Sequence, residues 1–261
     1  TLVSALFSGH FGAGVPQFRK FFVFSVLLVA SSVLLEARHV RWIAGAWCAG
    51  AALSAGRSLV QFGRKVEIAR ARGEDFYQSY VGERITGFLS HWMTFSEVGM
   101  LVLLVLLSYL FFASGVGRRI LLLGGLCAAI LGASLLVSFT RSIWVAAAVA
   151  TSYLVWRWRK KWLLALPVAL VVAVAAAPGA VKRRFESMFS ARSDDSTRAR
   201  MIMWETGWRM VKARPVVGVG PERVGSEFSR FLPPGTGELP AAFYGHLHNL
   251  YIHYAAERGL P

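Results

Sequence analysis

The chain has 261 residues, 55% of them hydrophobic and only 16% charged, with a mean hydropathy of +0.50. That balance excludes a disordered chain, a collagen-like chain and a disulfide-framework protein, and its long unbroken apolar runs argue against an ordinary water-soluble domain. The charge is lopsided, 29 Lys+Arg against 14 Asp+Glu for a net +15. In a soluble protein this excess would suggest nucleic acid. In an apolar chain it marks cytoplasmic loops and anionic lipid partners, so no nucleic-acid partner is expected.

A helix crossing a bilayer needs about 20 mostly apolar residues. Taken in chain order, the sequence predicts spans at 21–35, 42–59, 95–114, 120–139, 142–156 and 162–177, the last with Pro167 inside. Cys48 and Cys127 fall within these runs and read as small hydrophobes rather than a disulfide or a metal site. A further span is expected to open near Asn249, so 249–261 reads as a truncated helix. The whole reads as an internal-to-C-terminal fragment of a longer membrane protein.

The short connections at 36–41, 115–119 and 157–161 carry Arg38, Arg41, Arg118, Arg119, Arg157, Arg159, Lys160 and Lys161. Alternating helices put all three on one side, which the positive-inside rule makes cytoplasmic. The opposite, periplasmic-type face then receives an outer loop at 61–94, the turn at 138–141 and a large loop at 178–248. Within that large loop Met201, Trp204, Trp208 and Val211 recur at helical spacing, which predicts an amphipathic interfacial helix stopped by Pro215. The expected organisation is thus a transmembrane part over 1–177, the large loop over 178–248 and the start of another helix over 249–261.

Four segments carry residues suited to chemistry. Arg141, in Ser138-Phe139-Thr140-Arg141-Ser142, lies between two apolar runs, where a charge is expensive and often functional; a snorkelling arginine at a helix end is the plainer reading. Arg198 and Arg200 precede the amphipathic helix, and their planar forks suit phosphate oxygens, whether of a substrate or of lipid head groups. In Gly245-His246-Leu247-His248-Asn249 a histidine has the pKa of a general base. Asn249 there also suits a helix N-cap, and the spacing with His253 is a poor match to zinc, so no metal is expected. Finally, Arg84 and His91 flank Gly87-Phe88-Leu89-Ser90 at the outer mouth of the 95–114 span. Gly218-Val219-Gly220 is not a dinucleotide fingerprint, because Arg223 stands where a third glycine is needed. Asp194-Asp195 reads as a solvated acidic pair.

Together these segments resemble the O-antigen ligase family of membrane glycosyltransferases, which also includes O-antigen polymerases and some protein O-oligosaccharyltransferases. The resemblance rests on Arg141 in its Ser/Thr-rich turn, on Arg198-Ala199-Arg200-Met201-Ile202-Met203-Trp204 leading into Arg214-Pro215-Val216-Val217-Gly218-Val219-Gly220-Pro221, on His248-Asn249 followed by Gly259, and on Gly87-Phe88-Leu89-Ser90-His91-Trp92-Met93-Thr94. It extends from about Arg84 to the end of the chain.

The resemblance implies an all-α fold, a polytopic transmembrane helix bundle of the GT-C-like kind with a large periplasmic loop containing amphipathic helices. It implies a multi-pass protein of the bacterial inner membrane, active on the periplasmic face. The implied reaction moves a glycan from undecaprenyl diphosphate to a lipid A-core acceptor hydroxyl, with inversion and with no metal or other cofactor. Catalytic roles pass to His248 as base and to Arg141 and Arg200 on the leaving diphosphate. Substrate-binding roles pass to Arg198, Arg84, His91, His246 and Asn249. Arg141, Arg200 and His248 are then expected to line one outward cavity. An O-antigen or exopolysaccharide polymerase of the same superfamily differs only in using another carrier-linked glycan as acceptor. A non-catalytic membrane transporter or lipid-binding protein would account for the spans and tryptophans, but not for the arginines and histidine.

Overall fold

The computed structural model describes residues 2–7, 9, 11–188, 195–236 and 245–260, without the side chains of 2, 18–20 and 195–197. Every regular element among the described residues is helical. The chain forms two compact units, one built from residues 36–190 and one from 1–35 with 191–261.

At the N-terminus, α1 (Leu2–Phe7) and α2 (Phe11–Arg19) are followed by α3 (Val23–Val33). The expected span at 21–35 is therefore represented by an eleven-residue helix with no buried residue.

The 36–190 unit opens with α4 (Ala37–Arg72), which runs well past the predicted end of the 42–59 span. The physical reason is that the stretch after Leu59 is amphipathic and contains no proline. Leu59 and Phe62 pack inward against an aromatic core while Arg64 and Lys65 stay on the outer side. Only at Gly73 does the helix close, its N–H reaching the carbonyls of Ala69 and Arg70. The first third of the expected outer loop 61–94 is thus helix, and a short α5 (Phe76–Gly82) follows, capped by the Asp75 carboxylate accepting from the Gln78 N–H.

Two helices are long and apolar enough to cross a membrane, α6 (Trp92–Phe112) and α7 (Arg118–Val137). Only 33% and 28% of their apolar windows are buried in the protein. Leu121, Leu122, Leu123 and Leu126 are all exposed. A core helix of a soluble protein would hide such residues, whereas hydrocarbon covers them without cost. Small residues let α4, α6 and α7 approach closely: Ala55 packs with Val102, Leu106 and Leu131, and a Cβ on Gly124 would meet Leu110 at 2.8 Å. Cys48 and Cys127 are free thiols that join this cluster as packing atoms.

The remaining expected spans differ in length or polarity. α8 (Arg141–Arg159) has nineteen residues but carries arginines at both ends. A 3₁₀ stretch at Lys160–Leu164 then leads into α9 (Ala165–Ala176), only twelve residues long. Pro167 lies in its first turn, where the missing N–H has no helical partner to lose. α10 (Gly179–Glu186) ends the described part of the unit, with Ala180, Val181 and Arg184 on its buried face.

In the other unit α11 (Asp195–Ala213) packs against α13 (Leu250–Arg258), with the short α12 (Val224–Glu227) and a 3₁₀ turn at Phe228–Phe231 completing the core. α11 has two apolar faces. Ala199, Met203, Thr206 and Met210 point into the core, and Val211 turns inward with them. Met201, Trp204 and Trp208 form the separate exposed stripe, the amphipathic arrangement suited to a membrane interface. α13, where a further span is expected, is a nine-residue amphipathic helix in this structure, with Ala256 and Glu257 buried. The expected acidic pair begins at Asp194, outside the described residues.

Candidate functional site

Each unit holds one cluster of the residues singled out in the sequence. In the 36–190 unit the centre is the turn between α7 and α8. The last carbonyls of a helix have no intrahelical partner, and in apolar surroundings each must be met by another donor. Here side chains meet them one by one. Trp144 Nε1 donates to the Leu135 carbonyl at 2.7 Å, and the Tyr80 hydroxyl donates to that of Val137 at 2.6 Å. Arg84 Nη1 and Arg184 Nε both donate to the Phe139 carbonyl, at 3.3 and 3.2 Å.

Phe139 is fully buried at φ +55, a left-handed conformation costly for a bulky residue. An aromatic cage holds it: its ring meets Tyr80 edge-on at 4.8 Å, and Tyr80 stacks in turn on Phe76. Burial drives the Tyr80 phenol above its ordinary pKa, so it stays a neutral donor. The left-handed step delivers Arg141 as the first residue of α8. Its Nη1 donates to the Ser187 carbonyl at 3.2 Å.

Three guanidinium groups therefore gather at one helix junction. Desolvation, followed by the positive charges of Arg184 and then Arg141, pulls Arg84 down to about 10. It remains protonated at neutral pH, and the shift reflects burial first and the neighbouring like charges second. Arg84 also lies over the Trp92 ring at 5.6 Å. Gln61 of α4 holds the segment that carries it, its Oε1 accepting from the N–H groups of Thr86 and Gly87. His91 is the N-cap of α6, Nδ1 accepting from the Met93 N–H at 3.2 Å, with its ring stacked on Trp92.

In the other unit the centre is the turn 245–249 leading into α13. Asn249 Oδ1 accepts from the N–H groups of Tyr251 and Ile252, both at 3.1 Å, which makes it the N-cap its position suggests. His248 stands at φ +49. His246 Nδ1 accepts the His248 N–H at 2.9 Å, so a neutral His246 carries its proton on Nε2. The His246 ring stacks on that of His253 with centroids 4.6 Å apart.

Both turn histidines keep contact with solvent. Partial desolvation, aided by the Arg200 charge, holds His248 below its ordinary pKa. Desolvation, then His253 and His248, lowers His246, while Glu257 opposes the shift. A largely neutral imidazole with an exposed edge is what a general base requires at neutral pH. Among the described residues no group of three His, Cys, Asp or Glu is arranged to hold a metal ion.

The motif Arg214–Pro221 lies against the end of α13. Val219 N–H donates to the Ala256 carbonyl at 2.8 Å, Gly220 N–H to that of Glu257 at 3.0 Å, and Leu260 N–H to that of Pro215 at 2.7 Å. Gly218 sits at φ +68, and a Cβ there would overlap the backbone of Glu257; at Gly259, φ +82, it would overlap that of Val216. Two segments far apart in sequence thus need each other's glycines.

The structure brings Arg200 and His248 together in one unit and Arg84 and Arg141 together in the other. Arg198 is exposed on α11. Arg184 and Glu257 are the polar residues that sequence reasoning missed. Arg184 sits in a Lys182-Arg183-Arg184 run that looks solvated, yet it shares a helical face with Ala180 and Val181 and is only 7% exposed. That spacing was the available signal.

No curated protein and no solved structure matched the chain. The family model described as O-antigen ligase matches residues 126–261, more than half of the chain, and takes in Arg141, Arg184, Arg198 and Arg200 of α11, the Arg214–Pro221 motif and the histidine turn. The chain belongs to the O-antigen ligase family, within a superfamily of glycosyltransferase-type membrane enzymes.

Proposed function

We propose that the protein is a multi-pass inner-membrane glycosyltransferase that moves an O-antigen glycan from undecaprenyl diphosphate to a hydroxyl of a lipid A-core acceptor, on the periplasmic face. The observation that carries this reading is the pairing of His248 with Arg200 in a chain of this family. An imidazole kept largely neutral near a guanidinium charge supports proton removal next to a developing negative charge.

The acceptor O–H bond breaks as its oxygen bonds the anomeric carbon, and the proton passes to His248. The bond from that carbon to the diphosphate oxygen breaks, and undecaprenyl diphosphate leaves with the electron pair. Attack from the opposite face inverts the anomeric centre. Arg200 and Arg141 neutralise diphosphate charge, supported by Arg198 and Arg84. His246, Asn249 and His91 contribute to glycan binding beyond the backbone contacts already described. Guanidinium groups held by helix ends perform the charge neutralisation without a metal ion.

Complementation tests the reading. Expression of the full gene in a ligase-null strain should restore O-antigen-bearing lipopolysaccharide, and His248→Ala and Arg141→Ala should each abolish it at normal protein levels. Rescue by both variants would remove the mechanism. Rescue of a polymerase-null strain in place of the ligase-null one would assign the acceptor to a second carrier-linked glycan.

A further inference from the structure

Behind the histidine turn lies a buried group that the proposed reaction does not use. Glu257 is 1% exposed. Its Oε1 accepts from the Glu222 N–H at 2.8 Å and stands 3.5 Å from His253 Nε2. Its Oε2 has no hydrogen-bond partner among the described residues, with Arg258 Nε 4.0 Å away and equally unsatisfied. A buried carboxylate is costly unless charge or donors offset it. An amide would satisfy the Glu222 N–H just as well, so that single hydrogen bond does not explain an acid here.

The explanation lies on its other side. His253 is 14% exposed in its side chain, and its buried Nδ1 has no hydrogen-bond partner among the described residues. Its ring is the platform on which His246 stacks, with planes 18° apart, and His246 in turn accepts the His248 N–H. A continuous line therefore runs from Glu257 through His253 and His246 to the strained His248. We infer that Glu257 and His253 are positioning residues: the buried carboxylate anchors the His253 ring, and that ring seats His246 so that the turn presents His248. The catalytic consequence rests on the function proposed above; the coupling itself does not.

The charged groups facing this line are few. α13 contributes His253, Glu257 and Arg258, the 221–223 turn contributes Glu222, and α11 contributes Arg200 beside His248. Arg258 is also tied by Nη2 to Gln17 Oε1 at 2.8 Å, and Gln17 Nε2 donates to Glu222 Oε1. Glu257 is thus the group on this line whose charge favours a protonated His246.

The test is a histidine titration by NMR on the full chain in detergent, with imidazoles isotope-labelled. Glu257→Gln keeps size and the acceptor for the Glu222 N–H but removes the charge, and should move the His246 midpoint down. His253→Phe keeps a ring to stack on but removes the neighbouring imidazole, and should move that midpoint up. In transfer assays Glu257→Gln and His253→Ala should lower kcat roughly tenfold with KM for the lipid-linked donor unchanged, the pattern of a misplaced base. An unmoved His246 midpoint in a folded Glu257→Gln, or in His253→Phe should Glu257→Gln not fold, overturns the inference. Absence of transfer by the wild type with both midpoints shifted would overturn the proposed function and leave the positioning intact.

Discussion

Gly218→Ala is the most exacting perturbation of this architecture, because the glycine is required twice. At φ +68 an L side chain costs about 1–2 kcal/mol. The added Cβ would also overlap the carbonyl of Glu257, and a backbone group cannot rotate away as a side chain does. Relief demands separation of the two segments, which strains the Val219–Ala256 and Gly220–Glu257 hydrogen bonds, for a further cost of about 1–3 kcal/mol. The total, about 2–5 kcal/mol, is a large part of an ordinary stability of about 5–15 kcal/mol. Thermal unfolding in detergent, followed by tryptophan fluorescence, reports it through Trp204 and Trp208 on α11. The midpoint should fall by roughly 5–20 °C at about 2–4 °C per kcal/mol. Gly63→Ala is the control: it lies within α4 with open space around it, and should stabilise by about 0.5–1 kcal/mol. A Gly218→Ala protein that unfolds at the wild-type midpoint would refute the close approach of the two segments.

Tyr80→Phe leaves the Val137 carbonyl without its donor inside the aromatic core and should cost about 1–3 kcal/mol by the same unfolding assay. Asn249→Ala should cost about 1 kcal/mol through loss of the α13 cap, and Asn249→Asp should restore it; equal losses in both would argue against capping. The folded chain holds His246 and His248 below the ordinary value of 6.5, whereas the unfolded chain does not. Below 6.5 the unfolded state binds more protons, so this contribution to stability is present above 6.5 and lost as pH falls through the lowered folded values. Unfolding midpoints read from pH 7.5 downward should fall, and less steeply in His248→Gln; a rise on acidification would contradict the sign.

Much of the helical layout was legible because apolar runs bounded by arginines have few other solutions. The spans at 95–114 and 120–139 correspond to α6 and α7 within a few residues. The end of α4 was not legible, since the amphipathic residues 61–72 read as loop when the core they face is unknown. Of the candidate residues, Asn249 declared its capping role by type and position. His91 did not, because a histidine seldom signals a cap. The arginine turn was half visible: Arg141 and Arg84 stood out between apolar runs, while Arg184 hid in a basic run that looks solvated. Glu257 was missed because 249–261 reads as the start of a truncated span, and only the packing of the short amphipathic α13 shows that its acid is buried.

In the proposed reaction His248 removes the acceptor proton during glycan transfer. Single-turnover transfer from an undecaprenyl-diphosphate-linked glycan by the purified full chain in nanodiscs, comparing wild type with His248→Ala across pH, tests it most directly. His248→Ala should lose about 10²–10⁴-fold in rate with donor affinity retained, and should lack the acidic limb of the wild-type profile. Transfer by His248→Ala at the wild-type rate, with the same pH profile, would contradict it.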